Sequence, residues 1–430
     1  MDEWRVGKLA DVCESIDYGF TASAIDHPIG PKFLRITDIV QSALNWREVP
    51  YVQASESDAN KFKLYDGDIV IARTGATTGE SRFIRNPPNA VFASYLVRLR
   101  INRKNDARFI SYWLKSPAFR GFLQGVLGDK SAQPNASAST MTQAPIRIPA
   151  KSETQREIAA ILGALDDKIE LNRRMNETLE SMARAIFKDW FVDFGPTRAK
   201  AEGREPYLAP ELWHLFPDAL NDKDKPVGWA TIPLKQLGRV VTGKTPSTKN
   251  PAFFGGDIPF LKIPDMRGRV YVLRTSTSLS EEGAKSQIQK TLPAGSVSVS
   301  CIATPGLVTL NHQDTQTNQQ INTIIPSDRR QSHFVFWSCR LLAAAVMRGG
   351  SGGSVFRNMN KSSFENLQVV YPGKEVARTY SKTVAHIHSR MLLNEYESDS
   401  LAQTRDLLLP KLMSGEIRLS NAERAVEAVA

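Results

Sequence analysis

Cysteine is scarce in this chain, and the little present is badly placed for cross-linking. Cys13, Cys301 and Cys339 are odd in number and far apart, which excludes a disulfide scaffold and fits a reducing compartment. None lies in a CxxC pair or beside clustered histidines, so no metal site is expected. His386 and His388 stand two apart on a predicted helix, face different ways and cannot share a metal. Long apolar runs are missing too. The longest, Leu341 to Met347, falls far short of the roughly 20 residues that cross a bilayer. With a mean hydropathy of -0.30, this predicts a soluble protein with no membrane partner. The start, Met1-Asp2-Glu3-Trp4, lacks the basic-then-apolar pattern of a secretion signal, and a cytoplasmic location is expected. No Ser/His/Asp or paired-carboxylate arrangement has a recognisable spacing, so no catalytic residue is assigned.

Acidic residues fall short of basic ones in only two stretches. Overall the chain carries 55 Lys and Arg against 45 Asp and Glu, a net charge of +10. Residues 1–149 hold 19 basic against 15 acidic side chains, and residues 226–372 hold 16 against 7. The remainder is neutral or slightly acidic. Two separate cationic blocks are what binding a polyanion through counterion release requires.

The chain also repeats itself. Trp4 and Leu9 match Trp229 and Leu234, and Phe33-Leu34-Arg35-Ile36-Thr37-Asp38-Ile39 matches Phe260-Leu261-Lys262-Ile263-Pro264-Asp265-Met266. In the same order, Leu64, Gly67, Ile69 and Ile71 match Leu292, Gly295, Val297 and Val299; Asn135 matches Asn358; Ile148-Pro149 matches Tyr371-Pro372; and Leu171-Asn172 matches Leu393-Asn394. The offset drifts between 222 and 228 residues, as loop insertions and deletions produce. Each copy opens with β-favouring runs such as Asp68–Ala72, Arg98–Ile101, Ser296–Ser300 and Ile321–Ile325. Short helices such as Asp106–Leu114 and His333–Met347 lie between them, a compact α+β pattern.

Each copy then closes with a long helix. Ile158, Leu162, Leu165, Ile169, Met175, Leu179, Met182, Ile186 and Trp190 trace one stripe, and Tyr380, Ile387, Met391, Leu392, Leu401 and Leu408 another, ending around Pro410 and Gly415. Forty residues make a rod of roughly 60 Å. Two rods with one stripe each are best buried by antiparallel, coiled-coil-like packing. Asn172 and Asn394 sit at equivalent places on the stripes, either fixing register or lying on the surface. The expected organisation is a first α+β domain at 1–149, a long helix at 150–195, a linker at 196–225 that partly packs down, a second α+β domain at 226–372, a second long helix at 373–417 and a frayed tail at 418–430.

Two motifs are decoys. Gly238 to Thr245 fits the P-loop pattern, but Pro246 and Pro251 follow where a helix must begin. Asn86-Pro87-Pro88-Asn89 resembles the Asn-Pro-Pro-aromatic signature of adenine methyltransferases, yet Asn89 cannot stack on an extruded base. What remains is material for reading a DNA groove. Arg73, Thr74 and Thr77 lie in one loop, Asn318, Gln319 and Gln320 in another, and Arg357 and Asn358 in a third. Arg, Asn and Gln can each make paired hydrogen bonds to a base edge. Lys244, Thr245, Lys249, Lys262 and Arg267 suit phosphate. For each, an ordinary solvated loop is the other reading.

The stretches Gln155-Arg156-Glu157-Ile158, Asp167-Lys168-Ile169-Glu170-Leu171-Asn172 and Phe187-Lys188-Asp189-Trp190-Phe191-Val192-Asp193-Phe194 complete the pattern. To these add Gly243-Lys244-Thr245-Pro246, Gly256-Asp257-Ile258-Pro259 and the run from Leu407 to Ile417. Together they resemble the specificity subunits of Type I restriction–modification systems. The resemblance implies double-stranded DNA as ligand, one recognition domain per half of a split target, and a helical spacer that binds two modification subunits and, through the complex, two restriction subunits. Those partners would bring S-adenosylmethionine for adenine N6 methylation, and ATP and Mg²⁺ for cleavage, with no cofactor in this chain. Phe187, Trp190, Phe191, Leu409 and Leu412 are candidates for docking the partners, or else core residues of the helix pair. The competing reading is an enzyme, a DNA methyltransferase or nucleotide hydrolase with unrecognised catalytic residues.

Overall fold

The computed structural model describes residues 3–40, 44–128, 135–347, 358–427 and 429. The chain divides into two units, Met1–Leu171 with Ser400–Ala430, and Asn172–Asp399. Each unit therefore takes one copy of the α+β domain together with part of each long helix.

In the first unit, Trp4–Lys8 pairs antiparallel with Pro145–Pro149, so the strand that opens the domain is held against the one that closes it. Cys13–Tyr18, Leu96–Ile101, Ile69–Ala72 and Ser81–Phe83 form a four-stranded antiparallel sheet in that order, and Lys32–Leu34 runs parallel to Ala90–Phe92. The second unit repeats this plan. Ala230–Pro233 pairs with Gln368–Tyr371; Gly238–Thr242, Ile321–Pro326, Val297–Ser300 and Val308–Leu310 form the antiparallel sheet; and Phe254–Leu261 runs parallel to Gln316–Thr317. Ile69–Ala72 and Val297–Ser300 are buried throughout, as central strands covered on both faces should be.

The long helices run Ser152–Phe191 and Lys374–Ser414. In the first unit, Ile158, Leu162 and Leu165 share one core with Leu401, Leu408, Leu412 and Met413 and with Phe109 and Trp113 of the domain. Asp166 ties this region together, accepting from Tyr112 Oη and from Arg405 Nη1, each at 2.6 Å. Burial pushes the Asp166 carboxyl up, but the Lys115 charge and those two donors outweigh it and hold it below the usual range. In the second unit, Phe187, Trp190 and Phe191 pack with Tyr380, Val384 and Met391. Partners in that unit run antiparallel: Asn172 Nδ2 reaches Glu397 Oε2 at 2.7 Å, Asn394 Nδ2 reaches Asn176 Oδ1 at 2.8 Å, and Tyr380 Oη reaches Ala183 O at 3.0 Å. Asn172 and Asn394 are each 1% exposed, which removes the surface reading and leaves them as interior polar pairs.

The second helix passes through Pro410 and ends at Ser414, within the expected Pro410–Gly415 stretch. Proline deletes one helical hydrogen bond, but Leu408, Leu409, Leu412 and Met413 are buried around it and hold the turn in place. One expectation, the frayed tail, needs correction. Leu419–Glu427 is a helix whose Ala422 is fully buried and whose Leu419, Ala425 and Val426 pack on the first unit's core. Its apolar spacing was hidden by small, weakly hydrophobic residues. The linker packs down in part, with Thr197, Ala199 and Phe216 buried and residues 201–207 exposed.

The end of the second helix sets one test. Gly415 has φ 76°, and a Cβ there would lie 2.9 Å from the Trp4 ring, while Arg147 lies over that same ring. Gly415→Ala must strain the left-handed cap and displace the indole. A loss of about 1–2 kcal/mol in denaturant unfolding is expected, and an unchanged midpoint would show that the cap is not fixed by this contact.

Candidate nucleic-acid interface

The two copies build one backbone scaffold. Gly19 N donates to Leu96 O and Phe20 N to Phe92 O in the first; Gly243 N donates to Ile321 O and Lys244 N to Thr317 O in the second. Likewise Ala93 N donates to Leu34 O as Asn318 N does to Leu261 O, and Arg73 N to Tyr95 O as Cys301 N does to Gln320 O. The glycine is required in both. A Cβ on Gly19 would stand 2.2 Å from Ala93 O, and one on Gly243 would stand 2.2 Å from Asn318 O. Arg35 and Lys262 begin equivalent short helices, with their N–H groups donating to Asp38 and Asp265 at 2.8 and 2.9 Å. These bonds define which residues of one copy correspond to which of the other.

In the second copy the scaffold gathers Lys244, Thr245, Lys262, Asn318, Gln319 and Gln320 at the C-terminal ends of the parallel strands. Thr245 Oγ1 donates to Gln319 Oε1 at 2.8 Å, and Asn318 Nδ2 to Gln320 Oε1 at 3.0 Å. Lys262 is half-buried with Nζ donating to Thr277 Oγ1 at 2.7 Å, so its charge is partly committed. Lys249 and Arg267 are both exposed, with no ion-pair partner among the described residues. Asn358 is exposed beside Met359, whose N–H donates to Cys301 O at 2.8 Å. Arg357 lies outside the described residues.

In the first copy Arg73, Thr74 and Thr77 occupy the loop after Ile69–Ala72, half-buried. The Arg73 guanidinium lies 4.8 Å from the Tyr18 ring centre and reaches Asn135 Oδ1 at 3.4 Å. Beside it opens a hollow of about 290 Å³, walled by Phe20, Phe33, Ile36 and Ala93, with Arg35 and Tyr95 among the lining side chains. Tyr95 is 61% exposed, an aromatic ring held in solvent. Sequence reasoning missed Arg35 and Tyr95. The repeat carried the signal for the first, because Arg35 aligns with Lys262; Tyr95 had none, since its neighbours come together only through the parallel strand pair.

The decoys stay decoys. Gly238–Thr242 is a strand of an antiparallel sheet, residues 243–250 are loop, and the next element is the single turn Pro251–Phe253, so no helix N-terminus faces a phosphate. Asn86 sits in a turn at φ 43°. His386 is exposed and His388 buried. Among the described residues no group of three or more His, Cys, Asp or Glu is placed to hold a metal, and no helix is long and apolar enough to cross a membrane.

Phe187, Trp190, Phe191, Leu409 and Leu412 are corrected as docking residues: all are buried at 9% exposure or less within this chain. The three aromatics meet Phe334, Tyr380, Phe216 and Trp229 at ring distances of 5.0–6.0 Å, and the leucines belong to the first unit's core. An apolar stripe must find cover, and here it finds it inside the chain.

Comparison with known proteins agrees with this architecture. The family model for the Type I restriction modification DNA specificity domain matches residues 1–181 and again 226–391. A Type I restriction enzyme specificity subunit of Haemophilus influenzae is 32% identical, with the alignment covering 97% of this chain and all of the relative. A counterpart from Methanocaldococcus jannaschii is 25% identical over 82% of this chain and 76% of its own. The crystal structure of the S subunit of M. genitalium shares the fold at a TM-score of 0.52 and 15% identity, over 96% of both chains. Two copies of one domain, two long helices and a family model that matches twice leave one conclusion: this chain belongs to the family of Type I restriction–modification DNA specificity subunits.

Proposed function

We propose that the chain is the non-catalytic, cytoplasmic DNA-reading subunit of its complex. Residues 1–149 read one half of a bipartite target and residues 226–372 the other, and partner subunits methylate adenine at N6 and cleave. One observation carries this reading. The two copies keep the same backbone hydrogen bonds around Gly19 and Gly243, yet place Phe20, Ala93 and Tyr95 where the other places Lys244, Asn318 and Gln320. A fixed scaffold with exchanged side chains is how one fold reads two different half-sites. In this reading S-adenosylmethionine, ATP and Mg²⁺ belong to two modification and two restriction subunits. Methylation sequencing of the host should find an adenine motif split by a constant gap. Exchanging residues 1–149 for those of a relative should change one half of that motif only. Methyl transfer by the purified chain alone would overturn the reading in favour of an enzyme.

With the aromatic stripe buried, the partners need another surface. Leu171 and Leu393 correspond in the repeat and are 51% and 58% exposed, one in each unit. Two equivalent apolar residues suit two identical partners. Leu171→Asp or Leu393→Asp should weaken binding of a modification subunit about tenfold, roughly 1.4 kcal/mol, while the isolated chain unfolds as before. Unchanged affinity in both variants would place the docking surface elsewhere.

A further inference from the structure

We propose that the first recognition domain reads the 5-methyl group of a thymine by receiving it in the hollow between Phe20 and Tyr95. The proposal rests on the DNA-reading function above and adds the chemistry by which one half of the target is told apart. The hollow is walled mainly by carbon: Phe20, Phe33, Ala22, Ala24, Ile36 and Ala93. The Phe20 ring is fixed, stacked on Phe62 at 5.4 Å and set edgewise to Phe33 at 6.4 Å. Arg35, the one charged side chain lining it, has its fork turned to Asp38, with Nε and Nη2 donating at 3.1 and 3.0 Å. Of the groups bases display in the major groove, the thymine methyl alone is apolar. Thr37, Ser94 and Tyr95 add hydroxyls to a lining that is otherwise carbon but for Arg35, so an amine or carbonyl edge finds fewer partners here than it gives up in water, whereas a methyl gives up none.

The second copy shows the alternative on the same scaffold. Lys244 stands for Phe20, Asn318 for Ala93, Gln320 for Tyr95 and Lys262 for Arg35, by the backbone hydrogen bonds they share. Carbon in one domain is replaced by amides and ammonium groups in the other. The half-target read by the first domain should therefore depend on a methyl group, and that read by the second on hydrogen bonds.

The test uses the full chain assembled with its modification subunits and a duplex carrying the target mapped by methylation sequencing. Each thymine is replaced in turn by deoxyuridine, which lacks only the methyl. One thymine, in the half that changes when residues 1–149 are exchanged, should bind about fourfold more weakly as uracil, the equivalent of ~0.8 kcal/mol for one buried carbon group. Phe20→Ala should bring the two duplexes to equal affinity. Ala24→Gln, at an exposed position at the hollow, should do the same without disturbing the core, and Lys244→Ala should leave the difference intact. Uracil tolerated at every position, a difference that survives both hollow variants, or one confined to the other half would each overturn the proposal. A chain that fails to bind the all-thymine duplex would overturn the DNA-reading function itself, and this inference with it.

Discussion

Trp190→Ala should cost the isolated chain about 3–5 kcal/mol of stability, in the absence of any partner. The indole is 2% exposed. It meets Phe216 edge-on at 5.0 Å, Tyr380 at 5.8 Å and Phe191 at 6.0 Å, so truncation leaves a cavity walled by rings that cannot collapse into it. Lost transfer energy and the unfilled cavity add, which is why removing a buried large aromatic falls in that range. For a unit of this size the loss corresponds to a fall in melting temperature of roughly 10 °C. Denaturant unfolding of the chain without its partners is the deciding measurement. A ring that served to dock a partner would leave that unfolding curve unmoved and weaken only assembly. A loss below about 1 kcal/mol would return Trp190 to the surface role suggested by its place in the Phe187–Phe194 run.

The same residue shows what sequence could and could not say. Phe187, Trp190 and Phe191 recur at helical spacing, and that spacing correctly demands a buried stripe. It does not say what covers the stripe, because the covering rings, Phe216, Trp229, Phe334 and Tyr380, come from four other segments. The duplication and the two long helices were legible because both are periodic, and periodicity is a local property. The strands Ile69–Ala72 and Val297–Ser300 were legible because two aligned copies spoke for each other. The hollow was not. It depends on Lys32–Leu34 pairing in parallel with Ala90–Phe92, and no local pattern reports a pairing across nearly 60 residues. In the second copy the corresponding side chains are charged or amide-bearing, so composition alone drew attention to Lys244 and Gln320. Phe20 and Tyr95 passed as ordinary apolar residues. The tail was misread for a related reason: Ala422 and Ala425 carry too little hydrophobic signal to mark a buried face, though the packing uses them.

Acidification from pH 6.5 to 4.5 should remove about 2 kcal/mol from the second unit through the buried His388 imidazole alone. His388 is 1% exposed, and Trp337 Nε1 donates to its Nε2 at 3.1 Å. An indole N–H can only donate, so Nε2 holds a lone pair, and the neutral ring carries its proton on Nδ1, facing Tyr271 Oη at 3.1 Å. Protonating Nε2 would set two donors against each other in a dry core. Burial lowers the His388 pKa first, and repulsion with the stacked His333 ring, 4.2 Å away, and with the Arg340 charge lowers it further, to about 2. The unfolded ring titrates near 6.5. Between these values the unfolded state binds one more proton than the native state, so stability is full above pH 6.5 and falls by about 1.4 kcal/mol for each unit below it. Carboxylates held below their ordinary range, such as Asp328 in this unit, lose their contribution only below about pH 4 and stay outside the window. Burial also lowers His333 and His312 of this unit, which add to the loss in the same window, while Glu395, raised by burial, acts in the opposite sense. The difference between the chain and its His388→Gln variant isolates the imidazole, because the amide can still accept from Trp337 and does not titrate. Parallel pH profiles for the two proteins would mean that His388 takes up its proton equally in the folded and the unfolded chain, and the hydrogen bond from Trp337 would then have to be reassigned.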